Sequence, residues 1–426
     1  MSKKMNLVAK GMSITLMAMM FFSSALFAFA ADQPVQGTEA NPAKVMIGKL
    51  LKMPEGTTTP TATFTFNFTK ISIDDKTDPA DLATMPAVTS KDVVFGSGDT
   101  FPAPVNGVKE VYKETGSVFD NVQWPHAGVY AYKVVEKDKT YKITDPTKED
   151  MAYSPAEYEL RAYVQDGAKG LFVAAIAAKI LVADDSSTGV TGDKINPKPG
   201  DPSVAGDYSD LIFTNVYMKK TGGTNPLTDT VLSIHSAVAN PYADQSKYFA
   251  YNIVVKKPTT VPGAPTYKAY VMDKNGAIVT GTDNIAAGNI KTDSVGSYIE
   301  FQTGTPLTVN MKHGQWLSFI DLHVGSTYKV TAEAAADYKH SYIATENGVA
   351  GPVLTAPALN TQWGFTAEKR ISENLDKAEF TAGYKAVTPT GISVDNLPYI
   401  MLIAVAMAGL CGYVAVKSRK RANHDA

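Results

Sequence analysis

Apolar and polar positions alternate in short runs along most of the chain. Phe64-Thr65-Phe66-Asn67-Phe68 puts its aromatics on one face with a period of two, and Phe249-Ala250-Tyr251-Asn252-Ile253 repeats the pattern far downstream. Gly128-Val129-Tyr130-Ala131-Tyr132-Lys133-Val134-Val135-Glu136 alternates in the same way. Runs of this length between Gly and Pro turns predict β-strands. Two stretches break the alternation by being mostly apolar and free of charge, residues 12–27 and residues 397–416. No long amphipathic helix is predicted between them.

The strand pattern repeats once. Ile47-Gly48-Lys49-Leu50-Leu51 precedes the first aromatic strand as Ile234-His235-Ser236-Ala237-Val238 precedes the second. The Tyr-Lys-Val strand ending at Glu136 is echoed by Tyr328-Lys329-Val330-Thr331-Ala332, which aligns Glu136 with Ala332. The closing strands Leu211-Ile212-Phe213-Thr214-Asn215 and Ala378-Glu379-Phe380-Thr381-Ala382 align Asn215 with Ala382. Two tandem Ig-like β-sandwich domains are therefore predicted, at 42–217 and 227–386. A Thr-Gly-Gly-Thr-Asn-Pro stretch marks 218–226 as the linker between them.

The flanks read as addresses. Lys3, Lys4 and Lys10, the apolar run and Ala28-Phe29-Ala30 predict a signal peptide over residues 1–30, with the mature chain starting at Ala31. Residues 397–416 form a charge-free run of about 20 residues, long enough as a helix to cross a bilayer. Lys417, Arg419, Lys420 and Arg421 follow, so residues 417–426 are expected to stay in the cytoplasm while the body is exported.

Composition then removes several classes of function. Lys plus Arg number 40 against 42 Asp plus Glu, a balance that does not suit a nucleic-acid binder. The single cysteine, Cys411, rules out internal disulfides and a Cys-based zinc site. The 6 His residues have neither HExxH spacing nor an obvious triad, and Asp74-Asp75-Lys76-Thr77-Asp78 lacks the Gly and Glu of a calcium loop, so it reads as a solvated turn. No metal and no cofactor are expected. An exported chain without disulfides needs another kind of staple.

Val387-Thr388-Pro389-Thr390-Gly391 stands just before the apolar run. Pentapeptide, apolar span and basic tail together resemble the cell-wall sorting signal of Gram-positive surface proteins. That resemblance implies that a sortase cleaves between Thr390 and Gly391 and holds the chain as an acyl-enzyme until an amine attacks. The usual Leu-Pro-x-Thr-Gly is altered here, with Thr388 where Pro is usual and Pro389 one place late. Variants of this kind are similar to those of pilus-specific sortases.

Lys49, Glu136 and Asn215 each fall where alternation points the side chain inward among Val, Tyr and Phe, a place that charged groups avoid unless paired. Their counterparts Ser236, Ala332 and Ala382 have lost all three chemistries together. A buried ion pair of Lys49 with Glu136, hydrogen-bonded to Asn215, is the simplest reading of such a set.

The run from Lys49 to Gly56, the strand ending at Glu136 and the Phe-Thr-Asn strand ending at Asn215 resemble the streptococcal major-pilin isopeptide domain, the CnaB/FctA type. The second half resembles the C-terminal domain of the same two-domain backbone pilins. The resemblance implies an intramolecular amide between Lys49 and Asn215, with Glu136 as its catalyst and no other enzymatic activity. It also implies polymerisation, in which a sortase joins the sorting-signal Thr of one subunit to a Lys of the next. Lys198 in Ile195-Asn196-Pro197-Lys198-Pro199 fits the Pro-Lys core of pilin motifs, and Lys194 is its rival. The acceptor lysine is expected near the domain junction. The implied partners are a pilus-type sortase, other copies of the chain and peptidoglycan, with a host surface ligand left open. The implied location is the cell wall or a surface pilus after transient membrane anchoring. A monomeric or accessory wall-anchored adhesin is the alternative, and a wall-anchored enzyme finds no catalytic constellation in the sequence.

Overall fold

The computed structural model of the protein describes residues 34–187, 189–240, 242–385 and 397–422. The expected signal peptide 1–30 and Val387, Thr388, Pro389, Thr390 and Gly391 lie outside the described residues, as does the end of the basic tail. From residue 34 to residue 385 strand follows strand, relieved only by the helix Pro79–Thr84 and a 3-10 turn at Ala287–Asn289 among the described residues. The chain is all-β, in two tandem sandwiches.

In the first sandwich one sheet runs in the order Val35–Gln36, Gly170–Val182, Glu157–Gly167, Gly128–Glu136, Ala62–Ile73, Lys91–Phe95, with Lys194–Ile195 beside Gly170–Val182. In the facing sheet Ile212–Gly222 lies parallel to Gly48–Pro54, which in turn pairs with Val108–Glu114. Phe64, Phe66 and Tyr158 from one sheet meet Leu51, Met53 and Phe213 from the other in a single core. Burial of these aromatic and branched side chains is the main force that holds the two layers together.

The second sandwich repeats the plan with its own core. Leu232–Ala239 and Asp376–Tyr384 are its parallel neighbours, and Phe249–Lys256 pairs with Thr327–Ala332 in the opposite sheet. The registers coincide with those of the first sandwich. Asn215 is opposite Leu51, two residues after Lys49, and Ala382 is opposite Val238, two residues after Ser236. Glu136 is opposite Phe66, and Ala332 is opposite Tyr251. The two sets of positions are thus spatial counterparts.

The boundaries differ from the sequence expectation in two places. Val35–Gln36 pairs with Gly170–Val182, so the first sandwich starts before residue 42. The stretch expected as a linker is strand as far as Gly222. Lys220, Thr221 and Gly222 pair with His323, Leu322 and Asp321 of the second sandwich, and this ladder outweighs the local turn chemistry of Thr-Gly-Gly. Asp321–His323 of the second sandwich is therefore an edge strand of the first domain's sheet.

Other contacts tighten this junction. Glu373 accepts hydrogen bonds from the Thr58 amide (2.8 Å) and hydroxyl and pairs with Lys219 at 3.1 Å. Arg370 reaches Glu55 at 2.7 Å. Gly325, at a φ of 82°, packs so closely on Pro54 that a Cβ would overlap it, so glycine is required there on both counts.

Helix Leu397–Ala422 follows the undescribed segment. On this helix Leu402, Ile403, Val405 and Met407 are exposed. Among the described residues no helix is long and apolar enough to cross a membrane.

Candidate functional site

Lys49 and Asn215 project from adjacent parallel strands of one sheet, and Glu136 projects toward them from the other. Burial is complete for Lys49 and Asn215 and nearly so for Glu136. Lys49 Nζ donates to Glu136 Oε2 at 2.8 Å, and Asn215 Nδ2 donates to Glu136 Oε1 at 2.8 Å. One carboxyl thus holds the amine and the carboxamide side by side. Lys49 Nζ also lies 4.7 Å from the centroid of the Phe64 ring, and Phe66 packs on Phe213 at 4.9 Å to close the pocket.

The surroundings set the protonation. Burial brings Lys49 down from 10.5 to about 8, against the opposing pull of the Glu136 charge. Burial raises Glu136 above the ordinary carboxylate range, against the opposing pull of Lys49. Both shifts favour the pair as neutral amine and neutral acid. That form can react, because only an unprotonated Nζ is a nucleophile and only a protonated carboxyl can give a proton to a departing nitrogen.

Two further residues complete the cluster. The Ser154 amide donates to Asn215 Oδ1 at 2.8 Å, and the Ser154 hydroxyl donates to Asp184 Oδ2 at 2.6 Å. Asp184 also accepts from the Thr214 amide at 2.7 Å and the Ser186 amide at 2.8 Å. Neither residue stands out in the sequence.

The sequence of residues 45–218 matches the FctA family, described as the Spy0128-like isopeptide containing domain. This chain carries an FctA-type pilin domain. Residues 230–362 match a second family, described as a domain of unknown function (DUF7601). Solved structures similar to the chain include the major pilin from Streptococcus pyogenes, at 16% identity over 81% of this chain and 99% of that one, with a TM-score of 0.30. Another is the T3.2 major pilin from the same organism, at 18% identity over 80% of this chain and 98% of that one, with a TM-score of 0.29. A third is the pilus-presented adhesin Spy0125 (Cpa), at 15% identity over 58% of this chain and 37% of that one, with a TM-score of 0.23. TM-scores this low do not equate the architectures. No curated protein matches the chain.

Among the described residues, nothing comparable to the FctA-type cluster exists in the second sandwich. Ser236 accepts a hydrogen bond from Tyr251 at 2.9 Å and donates to the Met311 carbonyl, and Ala332 and Ala382 are wholly buried. Glu333, the nearby acid, is bound by Gln362 at the surface and does not enter the core.

The two candidate lysines differ in setting. Lys194 is half-buried in a short strand opposite Lys179, whereas Lys198 is exposed in a strand-free segment. Two residues beyond Lys198, the Gly200 amide binds Glu114, which lies opposite Gly48 at the start of the first long strand. That strand runs to Pro54 at the junction, so Lys198 lies at the pole of the first domain away from the junction. Lys198 is thus not near the junction, because Gly48–Pro54 and Ile212–Gly222 run parallel. In the second domain Asp376–Tyr384 starts beside the junction and ends at the opposite pole.

Proposed function

We propose that the chain is a cell-wall-anchored structural pilus subunit, polymerised by a sortase and stabilised by one Lys49–Asn215 amide. The observation that carries this reading is the Glu136 carboxyl binding both Lys49 and Asn215 at 2.8 Å in a buried pocket. In the reaction the Lys49 Nζ lone pair attacks Asn215 Cγ while Glu136 takes a proton from Nζ and delivers one to Nδ2. The C–Nδ2 bond then breaks, ammonia leaves and an amide remains. Fixing the groups in a folded core supplies the effective concentration that an inert carboxamide needs.

Polymerisation through Lys198 is supported by its exposure and by its position at the opposite pole from the end of Asp376–Tyr384. A subunit with acceptor and donor at opposite poles extends head to tail, whereas two sites at one pole would close a dimer. Anchoring rests on the sequence, in which residues 397–416 are charge-free and a basic tail follows.

Lys198→Ala is expected to collapse a high-mass ladder in cell-wall extracts to monomer, read by immunoblotting, with folding unchanged. A single band from the unaltered protein would instead favour a monomeric or accessory adhesin. If Lys194→Ala removes the ladder and Lys198→Ala does not, Lys194 is the acceptor. Deleting residues 387–391 should shift the protein from wall to membrane or medium, and unchanged covalent attachment to peptidoglycan would refute the sorting signal.

A further inference from the structure

Asp184 is a carboxylate buried beside the cluster with no cation hydrogen-bonded to it in the described structure. It lies just past the strand Gly170–Val182 and accepts hydrogen bonds from the Ser154 hydroxyl and the amides of Thr214 and Ser186. Burying a carboxylate costs free energy unless several donors meet it, and a neutral acceptor would serve packing as well. Ser154 precedes Pro155, which biases its backbone toward extended geometry, and its amide points at Asn215 Oδ1.

We infer that the Ser154 amide is the oxyanion donor for amide formation at Asn215 and that Asp184 is the positioning residue that holds this donor and the Asn215 backbone in register. The inference rests on the isopeptide reading above. When Lys49 Nζ bonds to Cγ, the carbonyl electron pair moves onto Oδ1, and the Ser154 N–H is already 2.8 Å away to receive it. Asp184 fixes that donor through the Ser154 hydroxyl and grips Thr214, the residue before Asn215. Its charge also acts on the reacting pair, raising both Lys49 and Glu136. The titratable groups around Asp184 are Lys49, Glu136 and Tyr158, whose hydroxyl is spent on the Ile212 carbonyl.

The electrostatic role has a signature that packing lacks. Reaction requires neutral Lys49 with protonated Glu136, so its pH profile is a bell bounded by the two macroscopic proton losses of the pair. A nearby negative charge raises both limits. Removing it should move the whole bell to lower pH.

The test follows ammonia loss by intact mass after cell-free synthesis of the full chain with lipid vesicles, at a series of pH values. Asp184→Asn keeps an acceptor for Ser154 and Thr214 while losing the charge. It is expected to slow the reaction about tenfold or more, since losing an oxyanion donor outright costs a hundredfold or more, and to shift the bell to lower pH. Ser154→Ala keeps the amide and the charge but cuts the tie to Asp184, so it should slow the reaction without moving the bell, and it serves if Asp184→Asn does not fold. An unchanged rate in either variant, or a slower Asp184→Asn reaction with an unmoved bell, overturns the inference. Absence of ammonia loss from the unaltered chain would overturn the isopeptide reading instead.

Discussion

Glu136→Ala should leave Lys49 and Asn215 unjoined and cost the first domain most of its stability. The proposed cross-link would close a loop of about 166 residues, for which the chain-entropy model gives roughly 5 kcal/mol. In a domain of this size that corresponds to a fall in melting midpoint of about 10–20 °C. Glu136→Ala also strips the buried Lys49 amine of its hydrogen-bond partner, which adds about 1–3 kcal/mol. Asn215→Ala loses the same bond but keeps the Lys49–Glu136 contact. Both variants should therefore retain the ammonia, yet Glu136→Ala should melt lower than Asn215→Ala. Calorimetry of the two beside the unaltered protein checks this, and equal midpoints would mean that the Lys49–Glu136 contact adds nothing once the bond is gone.

The second domain should unfold first, and acid should widen the gap. It has packing alone, with Ser236, Ala332 and Ala382 where the first domain has its reacting groups. It also buries histidines in neutral form. His235, stacked on Trp316 at 5.3 Å, is lowered by burial to about 4, and so is His323 at the junction. Burial lowers His340 as well. An unfolded histidine titrates near pH 6.5, so between there and pH 4 the unfolded chain binds more protons than the folded one, and stability falls as pH falls. At full effect the depressions of His235 and His323 are worth about 3 kcal/mol each. Calorimetry at pH 7 and pH 5 should show two transitions, with only the lower one moving down at pH 5. His235→Phe can keep the stack on Trp316 and should remove part of that slope. A single transition, or an acid shift confined to the upper one, would contradict this account.

The sandwich plan was legible because two-residue alternation is a local property that each strand carries in its own sequence. The equivalence of Lys49 with Ser236, Glu136 with Ala332 and Asn215 with Ala382 was legible too, because a diverged repeat preserves register even where it loses chemistry. Ser154 and Asp184 were not. Each sits in a turn whose composition is that of a solvated loop, and only the distant contact with Asn215 and Thr214 makes it part of the cluster. Residues 218–222 show the same limit from the other side, since Thr-Gly-Gly chemistry announces a loop and a ladder with residues 321–323 overrides it. The position of Lys198 away from the junction follows from parallel pairing of the opening and closing strands, which alternation alone does not specify.

That pairing also bears on mechanics. Lys198 lies a short segment before Ile212–Gly222, and this strand continues into the ladder of the second domain. Tension applied at Lys198 would travel along the closing strand, which the proposed amide at Asn215 would tie to Gly48–Pro54. In the second domain the same tension would shear Leu232–Ala239 against Asp376–Tyr384, which only hydrogen bonds and packing oppose.

Tandem mass spectrometry of the intact exported body and its tryptic fragments tests the central claim most directly. The account predicts a mass short by one ammonia and a branched peptide joining Lys49 to Asn215. A deficit of two ammonias would contradict the single-bond assignment, and no deficit would reduce Lys49, Glu136 and Asn215 to a buried polar network.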